Sequence, residues 1–469
     1  MMESDSNKRF RCGFSRALAL LVLAGMAPAQ APSATLREVC GLGSQFHAGR
    51  RRALCAALQS GLLVLRGLPD TRTNTRFSQD KTFWYFTGVE SANAALVVDV
   101  ASGKEVLFLP TPNPGGESWE GEKWDVGDTW VPGLTGIDDV RAISELGAVL
   151  AEMLPKAGNI AWTSLAAHIT LAGSYDRAGP YDRRRARDPF DGRPSREQAF
   201  AEILRGKYGA EVKDITPHAY KLRRVKMPEE LDALRRAATA GALAMCEAMR
   251  STRPGLQESD LEAVLDLVHR RHGAQGPAYQ AIVGAGRNSL ILHYTANRDR
   301  LDAEQILLID YAPEVDHYVS DITRTWPIGG KFTERQADLY DAVLAAQEAG
   351  IAAAKPGNGM ADVERACRDE IRRRGFADLV RHGACHLVGM EVHDPGFVRG
   401  PLEPGTVFTI EPGLYDPESG IGVRIEDVVV ITETGCDVLS AAAPKARDAI
   451  EAMIAERGLL DPHTDGDGK

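Results

Sequence analysis

The sequence predicts a mixed α/β protein of two domains, and three observations lead there. The 469 residues are 44% hydrophobic and 26% charged, an ordinary globular composition with ample chain for two cores. Short apolar runs bounded by turn residues alternate with helix-like segments along the chain. A basic stretch over residues 214–227 leads into Pro228 at a helix start and marks a junction. The expected division is a leader over 1–29, a first domain over 40–210, a second over 215–455 and a polar tail over 456–469.

The leader comes first. Lys8, Arg9, Arg11 and Arg16 precede an apolar run over residues 17–26, and Ala27-Pro-Ala29 supplies small residues at a cleavage site. The layout predicts export to the periplasm or medium, the alternative being a helical or disordered extension on a cytoplasmic chain. The run is too short to span a bilayer, so no stable membrane span is expected. Cleavage after Ala29 leaves six of the seven cysteines, scattered from Cys40 to Cys436 with neither a disulfide framework nor zinc-finger spacing.

Strands are expected over residues 61–65, 95–100 and 105–109, and a helix over 143–154. The Arg-rich stretch over 181–188 is interleaved with acids, Pro and Gly and reads as a solvated loop. A net charge of −10 argues against non-specific nucleic-acid binding. In the second domain, Ser259-x-x-Glu262 and Thr333-x-x-Gln336 read as capping boxes that open two helices.

The chemistry-bearing residues then fall in series. Ile306-Leu-Leu-Ile309 is an apolar run ending at Asp310, and Tyr318-Val-Ser-Asp321-Ile-Thr-Arg-Thr-Trp326 is β-branched and aromatic. With a turn-like stretch over 312–317 between them, this predicts a long-looped hairpin with both aspartates on neighbouring strands. His386, Glu411 and Glu426 follow near strand-like segments. Taken singly, each acid is an ordinary turn or surface residue. Together, four carboxylates and one imidazole carry about four negative charges, which match two divalent cations with a bridging hydroxide supplying one more. Burying such a set uncompensated would be prohibitive. The set therefore reads as a dinuclear metal site. Its oxygen-rich donors favour manganese, with cobalt or zinc behind it.

These motifs resemble one family. Ile309-Asp310, Ser320-Asp-Ile-Thr-Arg-Thr325, His382-Gly-x-x-His386, His393-Asp394, Glu411-Pro-Gly-Leu-Tyr415 and Gly422-Val-Arg-Ile-Glu-Asp427 are similar, in order, to those of pita-bread metallopeptidases. Phe77-Ser-Gln-Asp-Lys-Thr-Phe-Trp-Tyr-Phe-Thr-Gly88 and Glu117-Ser-Trp-Glu-Gly121 resemble the leading domain of aminopeptidase P and prolidase. The implied fold is an aminopeptidase P-like (creatinase-type) domain followed by a pita-bread catalytic domain. Tyr311-Ala312 departs from the usual small residues. The stretches after His393 and after Glu411 are shorter than in typical relatives. In many relatives the stretch after His393 carries an arginine near the substrate, for which Arg399 is a weak counterpart here.

The resemblance implies a ligand set of Asp310, Asp321, His386, Glu411 and Glu426. It implies catalytic roles for His293, His393, Glu411 (as proton acceptor) and Arg424, and substrate-side positions for His382 and Tyr415. The expected activity releases the first residue of peptides with proline second. Alternatives are a prolidase confined to dipeptides, or a metal-free pseudo-enzyme that binds peptides. A homo-oligomer is also expected.

Overall fold

The computed structural model describes residues 42–71, 75–396 and 400–462. The expected leader, Arg399 and most of the tail lie outside them.

The first half is built on a six-stranded mixed sheet. The elements that bear on the site are α1 (Gly43–Leu58), β1 (Leu62–Arg66), α2 (Lys81–Thr87), β2 (Ala95–Asp99), β3 (Glu105–Leu109), β4 (Val140–Ala142), β5 (Ile160–Thr163), α3 (Tyr175–Ala186), β6 (Glu211–Asp214) and α4 (Thr216–Arg224); the helix expected over 143–154 is present as Leu146–Lys156. The strand order is β4-β3-β2-β1-β5-β6. Side chains alternate in destination along each central strand. Leu62, Val64, Ala95, Val97, Val106 and Phe108 enter one core. Leu63, Leu65, Leu96, Val98, Leu107 and Leu109 enter another on the opposite face. Both faces are covered, which is why these strands read as continuous apolar runs.

The second of those cores crosses the junction. It includes Phe83, Trp84, Tyr85 and Phe86 of α2 together with Val388, Met390, Val407, Val428 and Val430 of the second half. Asp80 starts α2 by accepting the Phe83 N–H at 2.8 Å. The Arg-rich stretch is not a loop: it is the C-terminal part of α3, with Pro180 inside the helix. Charge explains the difference. Asp176 lies in the first turn and Arg183, Arg184 and Arg185 in the last, which complements the helix dipole at both ends.

The second half contains α5 (Pro228–Ser251), α6 (Glu258–Arg271), β7 (Ile282–Ala285), β8 (Ile306–Asp310), β9 (Pro313–Val315), β10 (Tyr318–Val319), β11 (Thr323–Pro327), α7 (Glu334–Ala353), α8 (Met360–Arg373), β12 (Val407–Ile410), β13 (Gly413–Asp416), β14 (Ile421–Arg424) and β15 (Asp427–Ile431). Thr333 caps α7 with Gln336 as expected. The Ser259 box does not form. Helix α6 begins one residue before Ser259, and Asp260 accepts the Gln257 N–H at 2.8 Å. An acid one position along had the better reach.

The aspartate hairpin is present as β8 against β11, with Thr323 opposite Asp310. Its expected loop is structured: β9 and β10 form a second, tighter hairpin. The turn residues Asp316 and His317 both take positive φ, 49° and 67°, the pattern of a two-residue hairpin turn that follows strand twist. Strand β12 pairs with β15, and β13 with β14. A bridge between Thr323 and Glu426 ties the Asp310–Asp321 hairpin to the turn between β14 and β15. No described helix is long and apolar enough to cross a membrane.

Candidate metal centre

Each acid of the series stands at a strand end. Asp310 closes β8, Asp321 lies two residues before β11, Glu411 follows β12, and Glu426 lies between β14 and β15. His386 sits on a segment that runs beside β12: the Thr409 N–H donates to His386 O and the Glu411 N–H to Ala384 O, both at 2.8 Å. Backbone pairing thus sets the register of the imidazole against Glu411. Strand ends hold their geometry better than free loops, which suits ligands.

Donor atoms of Asp321, His386 and Glu426 all lie within 4.8 Å of one another. His386 Nε2 is 3.4 Å from Asp321 Oδ2 and 3.2 Å from Glu411 Oε1. His386 Nδ1 faces Leu387 O at 3.2 Å, so donation there leaves the Nε2 lone pair toward the acids. Asp310 joins through Tyr279, whose hydroxyl is 2.6 Å from both Asp310 Oδ1 and Asp321 Oδ1. One phenolic proton serves only one of those contacts, so the other needs a second proton or a cation.

The electrostatics are those of a crowded anionic site. Burial raises the carboxyl of Asp321, and the neighbouring Asp310 adds to it. Burial, then Asp321, Glu411 and Asp310, push Glu426 far above the usual range. Burial opposes a charge on His386, yet Asp321 and Glu411 outweigh it and lift the ring to about 9. Glu426 Oε1 is buried with no hydrogen-bond partner among the described residues. Protons are poor fillers for such a set. An orphaned carboxylate oxygen, a lone pair of imidazole and like-charged acids fit divalent cations.

Arg424 supplies a permanent counter-cation on the protein side of this cluster. Buried at 3% exposure, it donates to Asp310 Oδ2 at 2.7 Å, Tyr415 OH at 2.8 Å and Thr323 Oγ1 at 3.0 Å. Tyr415 OH lies 2.8 Å from His382 Nε2, and His382 Nδ1 lies 2.7 Å from Gly383 O. A directed chain results: Arg424 donates to Tyr415, Tyr415 to His382, and His382 to a carbonyl. Gly413 makes room for it, since a Cβ there would come within 2.7 Å of Tyr415 OH and 3.0 Å of His382 Nε2.

A cavity of about 480 Å³ opens over the cluster. Asp310, Asp321, His386, Glu411, Arg424 and Glu426 line it, together with His293, His382 and His393. Tyr415 does not line it: it is buried behind Arg424, at 2% exposure. His293 is carried by a loop that β14 approaches closely; a Cβ on Gly422 would lie 2.1 Å from Ser289 O. Burial and the adjacent Arg177 lower the basicity of His293.

Among the cavity residues that were not legible as such, Tyr279, Asp176 and Arg177 bear on the site. Tyr279 follows a short Gly-Pro strand and carries no motif. Asp176 and Arg177 come from the first half, beside the Arg-rich stretch read as solvent-facing. The signal available for them was Ser174 followed by an acid, a helix-start pattern.

The described cysteines, Cys55, Cys246, Cys367, Cys385 and Cys436, are all free thiols. Cys385 lines the cavity, and its thiol is raised by burial, which makes it a poor ligand.

Comparisons with known proteins align with this geometry. Residues 232–433 match the model of metallopeptidase family M24, and residues 47–161 match that of the aminopeptidase P N-terminal domain. The Xaa-Pro aminopeptidase of Escherichia coli is 34% identical over 448 residues, covering 87% of this chain and 97% of that protein. The structure of a Pseudomonas aeruginosa aminopeptidase superposes with a TM-score of 0.75 at 30% identity, covering 88% of this chain and 98% of the other. The Xaa-Pro dipeptidase of Pyrococcus furiosus is 34% identical over 234 residues, 49% of this chain and 67% of that protein.

Proposed function

This chain belongs to metallopeptidase family M24 and is a metal-dependent aminopeptidase; on that premise we propose that it releases the first residue from peptides with proline second. The observation that carries the reading is the cluster of buried Asp321 and Glu426 with half-buried His386, including an orphaned oxygen, at the floor of a cavity of about 480 Å³. A prolidase reading is not favoured, because Xaa-Pro aminopeptidase relatives align through both halves. A metal-free binding protein has no need for a full set of ligands.

Asp310, Asp321, His386, Glu411 and Glu426 would hold two divalent ions. When bound, such ions acidify a water and polarise the scissile carbonyl. Glu411 borders both the cluster and the cavity and serves as proton acceptor. His293 and His393 face the cavity, where a histidine can donate a hydrogen bond to the carbonyl oxygen or to the leaving nitrogen. The nitrogen of an X-Pro bond carries no hydrogen and must gain a proton to leave. Arg424 holds Asp310, and Tyr415 links Arg424 to His382 as a support rather than a substrate contact.

Manganese is the proposed native metal, from the oxygen-rich donor set. Export through the N-terminal leader and assembly as a homo-oligomer complete the proposal; fractionation of cells and sedimentation of pure protein check them.

The deciding experiment strips the protein of metal, restores manganese, cobalt or zinc, and offers X-Pro, X-Pro-Y-Z and X-Ala-Y-Z peptides. Cleavage of X-Pro-Y-Z, faster than X-Pro and much faster than X-Ala-Y-Z, is expected with manganese. Cleavage of X-Pro alone would establish a dipeptidase. Recovery with zinc but not manganese would reverse the metal order.

A further inference from the structure

Two adjacent residues at the start of α3 each seize one cavity histidine. Asp176 Oδ2 lies 2.8 Å from His393 Nδ1, and its other oxygen accepts from Ser174 Oγ at 2.5 Å. Arg177 Nη2 lies 3.0 Å from His293 Nδ1. Consecutive helix positions point about 100° apart, so neighbours in sequence reach different partners.

The placement is anchored independently of either pair. The Tyr175 N–H donates to Glu391 Oε2 at 2.7 Å, which fixes the helix start to the loop that carries His393. Arg223 donates to Glu391 Oε1 at 2.9 Å and to Asp394 Oδ1 at 2.6 Å, and Lys226 reaches Asp394 Oδ2 at 3.1 Å. These four charged side chains are at most 2% exposed. Glu391 and Asp394 flank His393, so the loop, α3 and α4 form one rigid unit across the two halves.

A neutral imidazole offers one donor nitrogen and one acceptor nitrogen. A carboxylate can only accept, and a guanidinium can only donate. We propose that Asp176 and Arg177 are positioning residues that give the two histidines opposite hydrogen-bonding faces. His393, bonded through Nδ1–H, turns an accepting Nε2 to the cavity. His293, bonded through its Nδ1 lone pair, turns a donating Nε2–H to it.

Supporting this, the His393 hydrogen bond holds the Asp176 carboxyl well below its usual range, so it stays ionised. A peptide brings both a carbonyl that needs a donor and amine or amide hydrogens that need an acceptor. The inference rests on the aminopeptidase reading for its kinetic consequence, but not for its structural one.

Nitrogen-15 spectra of histidine-labelled, zinc-loaded protein at pH 9, assigned with H393Q and H293Q, read the tautomers directly. Protonated Nδ1 on His393 and protonated Nε2 on His293 are expected. The reverse on either ring overturns the proposal without reference to activity.

Kinetically, D176A should lower kcat about 10- to 100-fold, the range for a residue that orients an active group, with KM and metal content nearly unchanged. In an H393A background the same substitution should change kcat less than about twofold, because Asp176 acts only through His393. Effects that multiply independently would make Asp176 a merely structural residue and overturn the proposal. If the wild type fails to cleave X-Pro peptides, the functional reading falls while the spectra still decide the tautomers.

Discussion

Replacing Arg424 by Met tests whether this guanidinium is the protein's own counter-ion for the acids of the candidate metal centre. The substitution removes three buried hydrogen bonds, to Asp310, Tyr415 and Thr323, at 2.7, 2.8 and 3.0 Å. It also leaves Asp310, beside Asp321 and Glu426, without its guanidinium partner. Breaking a buried ion pair from one side costs about 3–5 kcal/mol. In metal-free protein that should lower the melting temperature by about 6–20 °C, at about 2–4 °C per kcal/mol for a domain of this size. Bound divalent ions supply the missing positive charge. Only the two bonds to neutral hydroxyls are then lost, about 2 kcal/mol in all, and the shift shrinks to about 4–8 °C. Scanning calorimetry of wild type and variant, with chelator and with manganese, measures all four values. Equal shifts in the two states would refute the counter-ion argument, and a shift below about 2 °C in chelator would show that Arg424 carries little load.

Three further outcomes are expected. Asp321→Ala and Glu411→Ala should each abolish turnover in a folded chain with reduced bound metal, far more than Arg399→Ala; near-normal rates with metal content confirmed would remove the two-metal mechanism. His293→Ala should lower kcat by about two to four orders of magnitude, the range of acid–base or hydrogen-bond assistance, with unchanged metal content; a lower melting temperature with intact kcat would make His293 a packing residue. His269 is buried, with neither ring nitrogen partnered among the described residues, and burial lowers it from 6.5 to about 3. A depressed histidine stabilises the fold above the unfolded value of 6.5, and that contribution is lost as pH falls toward 3. His269→Leu should therefore flatten the fall in melting temperature below pH 6.5, and an unchanged acid limb would contradict this.

The strands of the first sheet and the acid series were legible because their signals are local. Alternation along Leu62-Leu-Val-Leu65 and its neighbours records which face each side chain buries. The four expected acid ligands stand at or near strand ends, and a strand end is a sequence event. Local signals mislead where two neighbours compete for one task, as when Asp260 rather than Ser259 and Glu262 capped α6. They are also poor at distinguishing an exposed helix from a loop, because α3 has no buried residue to impose periodicity.

What sequence alone determined is the chemistry available: four carboxylates and an imidazole whose joint charge suits divalent cations, ahead of any knowledge of how they meet. Tertiary structure decided which groups face the cavity and in what protonation geometry. Asp176 and His393 stand 217 positions apart, and Arg177 and His293 stand 116 apart. No periodicity spans such separations. They meet because one apolar core and one buried charge network, Arg223 with Glu391 and Asp394, lock the first half onto the second. Tyr415 sits in a motif beside Glu411, yet packing turned it behind Arg424, where its hydroxyl meets a cation and an imidazole. Spacing places residues on elements, but which partner a polar group finds once water is excluded depends on the whole packed chain.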